Sequence, residues 1–412
     1  MAEHVSELVE ISGHLMDSGI LSRVLDDIRE YGGDYVIVSI DIGHEAHDSS
    51  HATLKVSAND AASLDRLLMR LQVRGMNQVD PGTASTRVAE TDGVFPEGFY
   101  STTNLPTTVR LNGRSVPVVN PEMDCGLVVE GDGEDLRVLT VPMSDVRAGM
   151  QIVCGASGIR VETPEDEVSG GFGFMASDVS SEKPQTVLVR QVADGMREAR
   201  ARGEKILIVG GPGVVHTGAA PAMVAMINAG FVDVLFAGNA LATHDIESAL
   251  YGTSLGIDLS QGRGVEHGHE HHIRAINTIR KEGSIRAAVE SGVLTGGIMH
   301  ALVTQQKRFV LVGSVRDDGP LPDVYTDVIE GQHAMRAEIP GVGYCIMVAT
   351  MLHSVATGNI LPASIPLVCV DINPATVTKL ADRGSSQAHG IVTDVGLFLE
   401  QLAMELVPGY RR

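Results

Sequence analysis

Residues 104–125, NLPTTVRLNGRSVPVVNPEMDC, gather two arginines, three amides, two carboxylates and a thiol in one short span rich in turn residues. Arg110 offers a planar fork that matches a carboxylate bidentately, and Asn104 and Thr107 could orient what it holds. Glu122, Asp124 and Cys125 fall together on a turn between strands. An ordinary hairpin with a salt bridge accounts for the same residues, so the span by itself fixes no chemistry.

A second group of residues lies in the C-terminal half. After the apolar run KILIVGG comes PGVVHTG, a glycine-rich loop leading towards a helix, where backbone amides, with Gly211 and Gly213 letting the chain come close, could face a phosphate. The spacing is not GxGxxG, because His216 stands where the third glycine would be, and a tight turn with no ligand explains it equally. Asp371 ends the run PLVCVD. A carboxylate at the carboxyl end of a strand can accept both hydroxyls of an adenosine ribose and repel a 2′-phosphate, which favours NAD over NADP. It can equally cap the helix that follows Asn373 and Pro374. Arg316, Asp317 and Asp318 stand just past another apolar run on a Gly-Pro loop, where a solvated turn is one reading and ligand contact the expected one. The stretch VEHGHEHH brings Glu266, His267, His269, Glu270, His271 and His272 together. His269 and His272 would share a helix face, but no third ligand is identifiable, so no metal is expected.

These residues need elements to position them. Residues 1–80 alternate in the order βαββα, from ELVEISGHLM through SGILSRVLDDIREYGG, DYVIVSIDI and HATLKVSA to DAASLDRLLMRLQVRG, which predicts a small ferredoxin-like or ACT-like α+β module. Residues 81–184 lose the helical period and read as a β-rich, substrate-binding module, with Asn112-Gly113 the strongest hairpin signal. Its end, DEVSGGFGFMASDVSSEKP, reads as a linker or mobile loop. Residues 185–412 alternate apolar runs (TVLVRQ, KILIVGG, VDVLFAG, RFVLVGS and PLVCVDI) with helical stretches, the pattern of a doubly wound, mostly parallel Rossmann-like sheet. The helical stretches PAMVAMINAG and GIMHALVTQQ are apolar enough to be core.

Composition narrows the function classes. With 52 acidic against 31 basic residues the formal charge is −21, which disfavours nucleic acid or an anionic membrane as partner. No N-terminal signal pattern and no run of ~18 apolar residues is present, so a cytoplasmic location is expected. The four cysteines, Cys125, Cys154, Cys345 and Cys369, form no CxxC pair and suggest neither a disulfide framework nor a structural zinc site. Aromatics make up 4% and tryptophan is absent, so no base-stacking platform is indicated.

End to end, from EISGHLMDSGILSRVLDDI through NLPTTVRLNGRSVPVVNPEMDCG, GGPGVVHTG, FAGNALATHDIE, GTSLG, HIRAINTIRKEGSIRAAVESG, GSVRDDGPLPDV and MVATMLHSVATGNILP to DINPATVTKLADRGSSQAHGIVTDVG, the chain resembles the family built on the lysine-oxoglutarate reductase/saccharopine dehydrogenase conserved region. That family includes the archaeal-type ornithine cyclodeaminases and the C-terminal half of the bifunctional arginine dihydrolase/ornithine cyclodeaminases. The resemblance implies a C-terminal NAD domain similar to that of deoxyhypusine synthase and a redox-neutral lyase of arginine and ornithine metabolism that makes proline. A hydride passes from Cα of L-ornithine to NAD+, the δ-amine closes the ring, ammonia leaves and the hydride returns. It also implies NAD contacts at Asn239 and Ala240, Asp317 and Asp318, Thr350, Met351, Leu352 and His353, Asp371, and Asp394 and Val395.

That chemistry needs an anchor for the α-carboxylate, for which Arg110 is suited, and an acid/base group and a carboxylate for the δ-ammonium, for which Asp124 and Glu122 are suited. Asn104 and Cys125 complete the expected site. The crystallin-type cyclodeaminases rely on a lysine, and no lysine stands in the NPEMDC region, so their mechanism does not carry over. No arginine-dihydrolase segment precedes residue 1, so the chain is not expected to make its own ornithine, and the histidine-rich stretch departs from the family. A saccharopine-type dehydrogenase and a non-catalytic NAD or amino-acid sensor stand as alternatives. A small-molecule amino-acid substrate and a homo-oligomer are expected.

Overall fold

In the computed structural model, residues 5–13, 15, 19–43, 48–162, 185–254, 257–258, 270–317, 319–382 and 388–411 are described. The chain divides into a unit of Met1–Ala176 with Asn359–Ser364, and a unit of Ser177–Gly358 with Ile365–Arg412.

The first unit begins with β1 (Val5–Gly13), α1 (Ile20–Glu30), β2 (Asp34–Asp41), β3 (Ser50–Ala58), α2 (Ala61–Gln72) and the short β4 (Asn77–Gln78). The predicted βαββα order is present, closed by β4, and the antiparallel sheet runs β2-β3-β1-β4. Alternate residues of β3 turn inward, placing Ala52, Leu54 and Val56 against Val24 and Ile28 of α1 and Leu67, Leu68 and Leu71 of α2. Asp60 starts α2 by accepting the Ser63 amide at 2.8 Å.

A second, mostly antiparallel sheet follows from β5 (Ser85–Val88), β6 (Thr107–Leu111), β7 (Arg114–Val119), β8 (Gly126–Glu130), β9 (Arg137–Val141), β10 (Gln151–Cys154) and β11 (Ile159–Val161), in the order β11-β6-β7-β9-β8-β10-β5. Leu111 pairs with Arg114 across the Asn112-Gly113 turn, whose φ values of 52° and 80° are the left-handed pair a two-residue hairpin requires. The sheets are tied by amide side chains. Gln72 Nε2 donates to the carbonyls of Ala156 and Ile159, and the Asn77 side chain donates to the Val161 carbonyl and accepts the Val161 amide, each at 2.7 Å. The expected linker lies outside the described residues.

The second unit contains α3 (Gln185–Ala201), β12 (Lys205–Gly210), α4 (Gly213–His216), α5 (Ala220–Asn228), β13 (Val234–Gly238), α6 (Asn239–Tyr251), the small pair β14 (Thr253–Ser254) and β15 (Ile257–Asp258), α7 (His271–Glu282), α8 (Ile285–Glu290), α9 (Gly297–Thr304), β16 (Arg308–Val312), β17 (Val324–Tyr325), α10 (Val328–Glu338), β18 (Val342–Val348), α11 (Leu352–Ile360), β19 (Leu367–Asp371), α12 (Pro374–Asp382), β20 (Ala388–Val392) and α13 (Val395–Leu406). Its parallel sheet has the order β17-β16-β13-β12-β18-β19-β20. The chain builds outward from β12 on one side, returns, and builds outward from β18 on the other. This is the doubly wound order, with its switch point between β12 and β18.

Two readings of the sequence are corrected here. TVLVRQ is the first part of α3 and not a strand, because its apolar residues continue into a helical period that buries Leu188, Val189, Val192, Ala193, Met196 and Ala199. The wholly buried β18, the neighbour of β12, had no counterpart among the expected strands. All four cysteines are buried free thiols, and no helix among the described residues is long and apolar enough to cross a membrane.

Candidate active site

The switch point is closed by backbone approach. Gly211 donates its amide to the Val348 carbonyl at 2.9 Å, and a Cβ on Gly211 would overlap the Ala349 carbonyl oxygen. One at Gly213 would lie 2.8 Å from the Ala349 methyl group, and Ala349 itself sits in the left-handed region at φ 53°. The GxGxxG spacing is absent, but the physical demand behind its glycines, room for two strand ends to meet over a helix start, is present.

Beside it, the ends of β13, β16 and β18 bring three expected residues together. Asn239, at the start of α6, faces Asp317 with Nδ2 to Oδ1 at 3.4 Å, and its Oδ1 accepts the Leu321 amide at 3.1 Å and the Thr243 hydroxyl at 3.3 Å. Asp317 Oδ2 accepts the Ser314 amide at 2.8 Å. The His353 ring packs on Gly238, where a Cβ would stand 3.1 Å from Cε1. Burial holds His353 below the ordinary histidine range, partly offset by the Val312 carbonyl and by Asp317. Ala240 follows on the same helix start and is half-buried, whereas Arg316, Met351 and Leu352 are exposed. The Thr350 carbonyl accepts the Ser354 hydroxyl at 2.5 Å. Asp318 lies outside the described residues.

On the other side of the switch point, Asp371 accepts the Asn373 amide through Oδ1 at 2.8 Å, and Asn373 accepts the Ala375 amide at 3.0 Å. Capping of α12 therefore falls to Asn373, and Asp371 stands outside the helix at the strand end. Asp394 caps α13 through the Leu397 amide at 2.7 Å, and Val395 is buried.

In the first unit, Glu122, Asp124 and Cys125 form a turn wound about Thr102. Its hydroxyl donates to the Glu122 carbonyl at 2.5 Å and accepts the Cys125 amide at 3.0 Å. Cys125 Sγ lies 4.0 Å from Glu122 Oε2, both residues are buried, and Asp124 is exposed at φ 59°. Asn104 is buried, with Nδ2 donating to the Leu361 carbonyl at 3.1 Å, and the Thr107 hydroxyl donates to the Leu105 carbonyl at 2.9 Å. A cavity of about 290 Å³ opens beside them, lined among others by Asn104, Thr107, Thr108, Val118 and Glu162. Arg110 does not line it. It is exposed and pairs with Ser115 near the turn end of the β6–β7 hairpin.

Sequence reasoning missed His244 and Glu247, which lie one turn apart on α6 with Nδ1 and Oε2 2.8 Å apart. The i, i+3 spacing was the available signal, but it is common to surface pairs. Of the histidine-rich stretch, His271 and His272 reach this pair through Thr253 and through a ring contact. Glu266, His267 and His269 lie outside the described residues. Among the described residues no group of three or more His, Cys, Asp or Glu could hold a metal ion.

Comparison with known proteins covers almost the whole chain. Residues 6–105 match the LOR/SDH bifunctional enzyme conserved region, residues 106–189 the first region of the arginine dihydrolase ArgZ-like C-terminal part, and residues 190–402 its Rossmann fold. The ornithine cyclodeaminase of Methanothermobacter thermautotrophicus is 51% identical over 400 residues, 97% of each chain. The crystal structure of apo ArgZ, an arginine dihydrolase from the ornithine-ammonia cycle in cyanobacteria, superposes with a TM-score of 0.84 at 36% identity, covering 98% of this chain and 59% of that one. The ternary complex of AgrE with ornithine and NAD+ is 39% identical with a TM-score of 0.53, covering 98% and 58%. This chain thus spans under two thirds of the length of those two structures.

Proposed function

Because the chain belongs to the family that joins the LOR/SDH conserved region to an ArgZ-like C-terminal Rossmann fold, we propose that it is an ornithine cyclodeaminase that converts L-ornithine to L-proline and ammonia with bound NAD+. The reading is supported by the full-length likeness to an archaeal ornithine cyclodeaminase and by the ornithine and NAD+ held in the AgrE complex. The observation that carries it is the doubly wound order with glycines packed at its switch point and a carboxylate at the end of β19. These residues fit a dinucleotide. Gly211 and Gly213 let the ends of β12 and β18 meet where side chains would intrude, and Asp371 keeps its position at the strand end free of any helix-capping duty.

NAD+ supplies a reversible hydride acceptor, so oxidation at Cα and reduction of the cyclic imine cancel. The chain's own residues bind and orient around it. Asp371 accepts ribose hydroxyls and repels a 2′-phosphate, favouring NAD over NADP. Asn239 and Asp317 hold the loop after β16 to the start of α6, and His353, kept uncharged at neutral pH by burial, packs behind them. Ala240, Thr350, Met351, Leu352, Asp394 and Val395 complete the proposed cofactor contacts.

Asp124 and Glu122 supply carboxylates for the substrate's ammonium groups, and Arg110 is the anchor for its α-carboxylate on side-chain chemistry alone. Arg110→Ala should raise the Michaelis constant for ornithine far more than it disturbs NAD+ binding. An unchanged constant would remove Arg110 from the site.

The activity is tested by incubating the protein with L-ornithine, with and without added NAD+, while following proline, ammonia and absorbance at the NADH wavelength. Proline and ammonia in equal amounts with no lasting NADH support the reading. Lasting NADH would indicate a net dehydrogenase, and silence a sensor or another diamino acid.

A further inference from the structure

Helix α6 carries a buried relay that the strand-end residues leave unused. His244 Nδ1 lies 2.8 Å from Glu247 Oε2, with the Glu247 side chain wholly buried and that of His244 12% exposed. The other carboxylate oxygen accepts the Thr253 hydroxyl at 2.9 Å, and Thr253 Oγ1 is 2.8 Å from His271 Nδ1. A hydroxyl has a single hydrogen to give. Given to Glu247, it leaves Thr253 only acceptor capacity towards His271, whose Nδ1 must therefore carry the hydrogen. The hydrogen-bond direction runs to Glu247 from both sides. In neutral His244 the lone pair is then on Nε2, and Glu247 stabilises the imidazolium that forms when Nε2 takes a proton.

His216 places this pair beside the switch point. It belongs to α4, the turn opened by Gly213, and its ring meets that of His244 edge-on with centroids 4.8 Å apart. Its Nδ1 is held by Ser254 Oγ at 2.7 Å. Burial, and after it the neighbouring His244, keep His216 below the ordinary histidine range.

Resting on the cyclodeaminase reading, the geometry points to His244, oriented by Glu247, as the group that exchanges protons with the nitrogens of ornithine. Free ornithine has both nitrogens protonated at neutral pH. The α-ammonium must lose a proton before Cα can release a hydride. The δ-ammonium must lose one before its lone pair can form the new C–N bond at Cα, and the α-nitrogen must regain a proton as its C–N bond breaks and ammonia leaves. An imidazole alternates between acceptor and donor near neutral pH, where an ordinary carboxylate is ionised throughout. Glu247 is a positioning residue, since it reaches the substrate only through His244. Among the described residues, the titratable groups that face His244 are Glu247 on its own helix, His216 from α4 and His272 from α7, whose ring centroid is 6.4 Å away.

The test is ornithine-dependent proline formation by the full chain as a function of pH, with NAD+ affinity and thermal melting measured in parallel. In His244→Asn the amide still donates to Glu247, but no proton acceptor replaces Nε2. The rate constant should fall by about a hundredfold or more while NAD+ affinity and melting hold. In Glu247→Gln the carboxamide can present its N–H₂ to His244, reversing the tautomer. Turnover should fall and the acidic limb of kcat/KM should move to lower pH, a shift that a merely structural residue would not cause. Wild-type turnover in His244→Asn overturns the inference, as does an unmoved acidic limb in Glu247→Gln. Wild-type protein that binds NAD+ but forms no proline refutes the cyclodeaminase reading itself, and this inference with it.

Discussion

The carbonyl oxygen of Ala349 fills the space that a side chain on Gly211 would need, so the carboxyl ends of β12 and β18 meet backbone to backbone at the switch point. Gly211→Ala therefore drives a methyl group into main chain that cannot swing aside. Melting should fall by several degrees, corresponding to about 1–3 kcal/mol, and NAD+ affinity should fall with it. The reciprocal change, Ala349→Gly, releases a left-handed residue and should leave stability unchanged or raise it by about 1 kcal/mol. Isothermal titration with NAD+ and thermal melts of both variants check this, and a Gly211→Ala protein that melts and binds like wild type would refute it.

The Asp371 side chain accepts the Asn373 amide through an oxygen that an asparagine also has. Asp371→Asn should preserve the loop and the melting temperature while removing the charge. We expect NAD+ affinity to drop roughly 10- to 150-fold, from the loss of charge-assisted bonds worth about 1.5–3 kcal/mol, and the preference over NADP+ to shrink. Paired titrations with the two nucleotides read both effects. Equal losses for both would mean that Asp371 shapes the loop and does not read the ribose.

How much of this was legible follows from where patterns break. The βαββα module, the Asn112-Gly113 hairpin and the strands at KILIVG and LVCVD announce themselves through clean periodicity and turn residues. β18 was missed because VGYCIMV runs through Ala349 and Thr350 into the apolar start of α11 with no charged residue to mark the boundary. The Asp371 carboxylate was visible at its strand end, yet only the structure shows that Asn373 takes over the capping. The His244–Glu247 pair was illegible for a different reason. What distinguishes it from a surface pair is the burial of Glu247 and the approach of Thr253, His271 and His216 from elsewhere in the chain, which no local spacing encodes.

Asn77 links the two sheets of the first unit by giving Nδ2 to the Val161 carbonyl and accepting the Val161 amide. The side chain is 5% exposed, so water cannot readily replace it. Asn77→Ala leaves both Val161 groups without this partner and should cost about 2–4 kcal/mol. Urea unfolding should show a lower midpoint with little change in slope. A loss below about 0.5 kcal/mol, the level of an ordinary surface substitution, would show that the tie is not a structural one.

Asp245, on α6, is 1% exposed and accepts the amides of Ile298 and Met299 at the start of α9 at 2.7 and 2.8 Å. Burial pushes its carboxyl up to about 6, against the pull of those two amides. The sign follows directly. Between about pH 4 and 6 the folded chain keeps a proton that the unfolded chain has released, so this group's contribution is full below its unfolded value and is lost as pH rises through the folded one. Over that window wild type should lose on the order of 3 kcal/mol relative to a variant that does not titrate. Asp245→Asn is that variant. It can accept from one amide but turns its own N–H₂ towards the other, so it is less stable than wild type, and by more at pH 4 than at pH 7. Subtracting the two unfolding free energies at each pH cancels the buried histidines, whose lowered values would tilt the raw profile the opposite way. A difference that stays constant from pH 4 to 7 would mean that Asp245 titrates like an exposed carboxylate, and that ionising it under α9 costs the fold nothing.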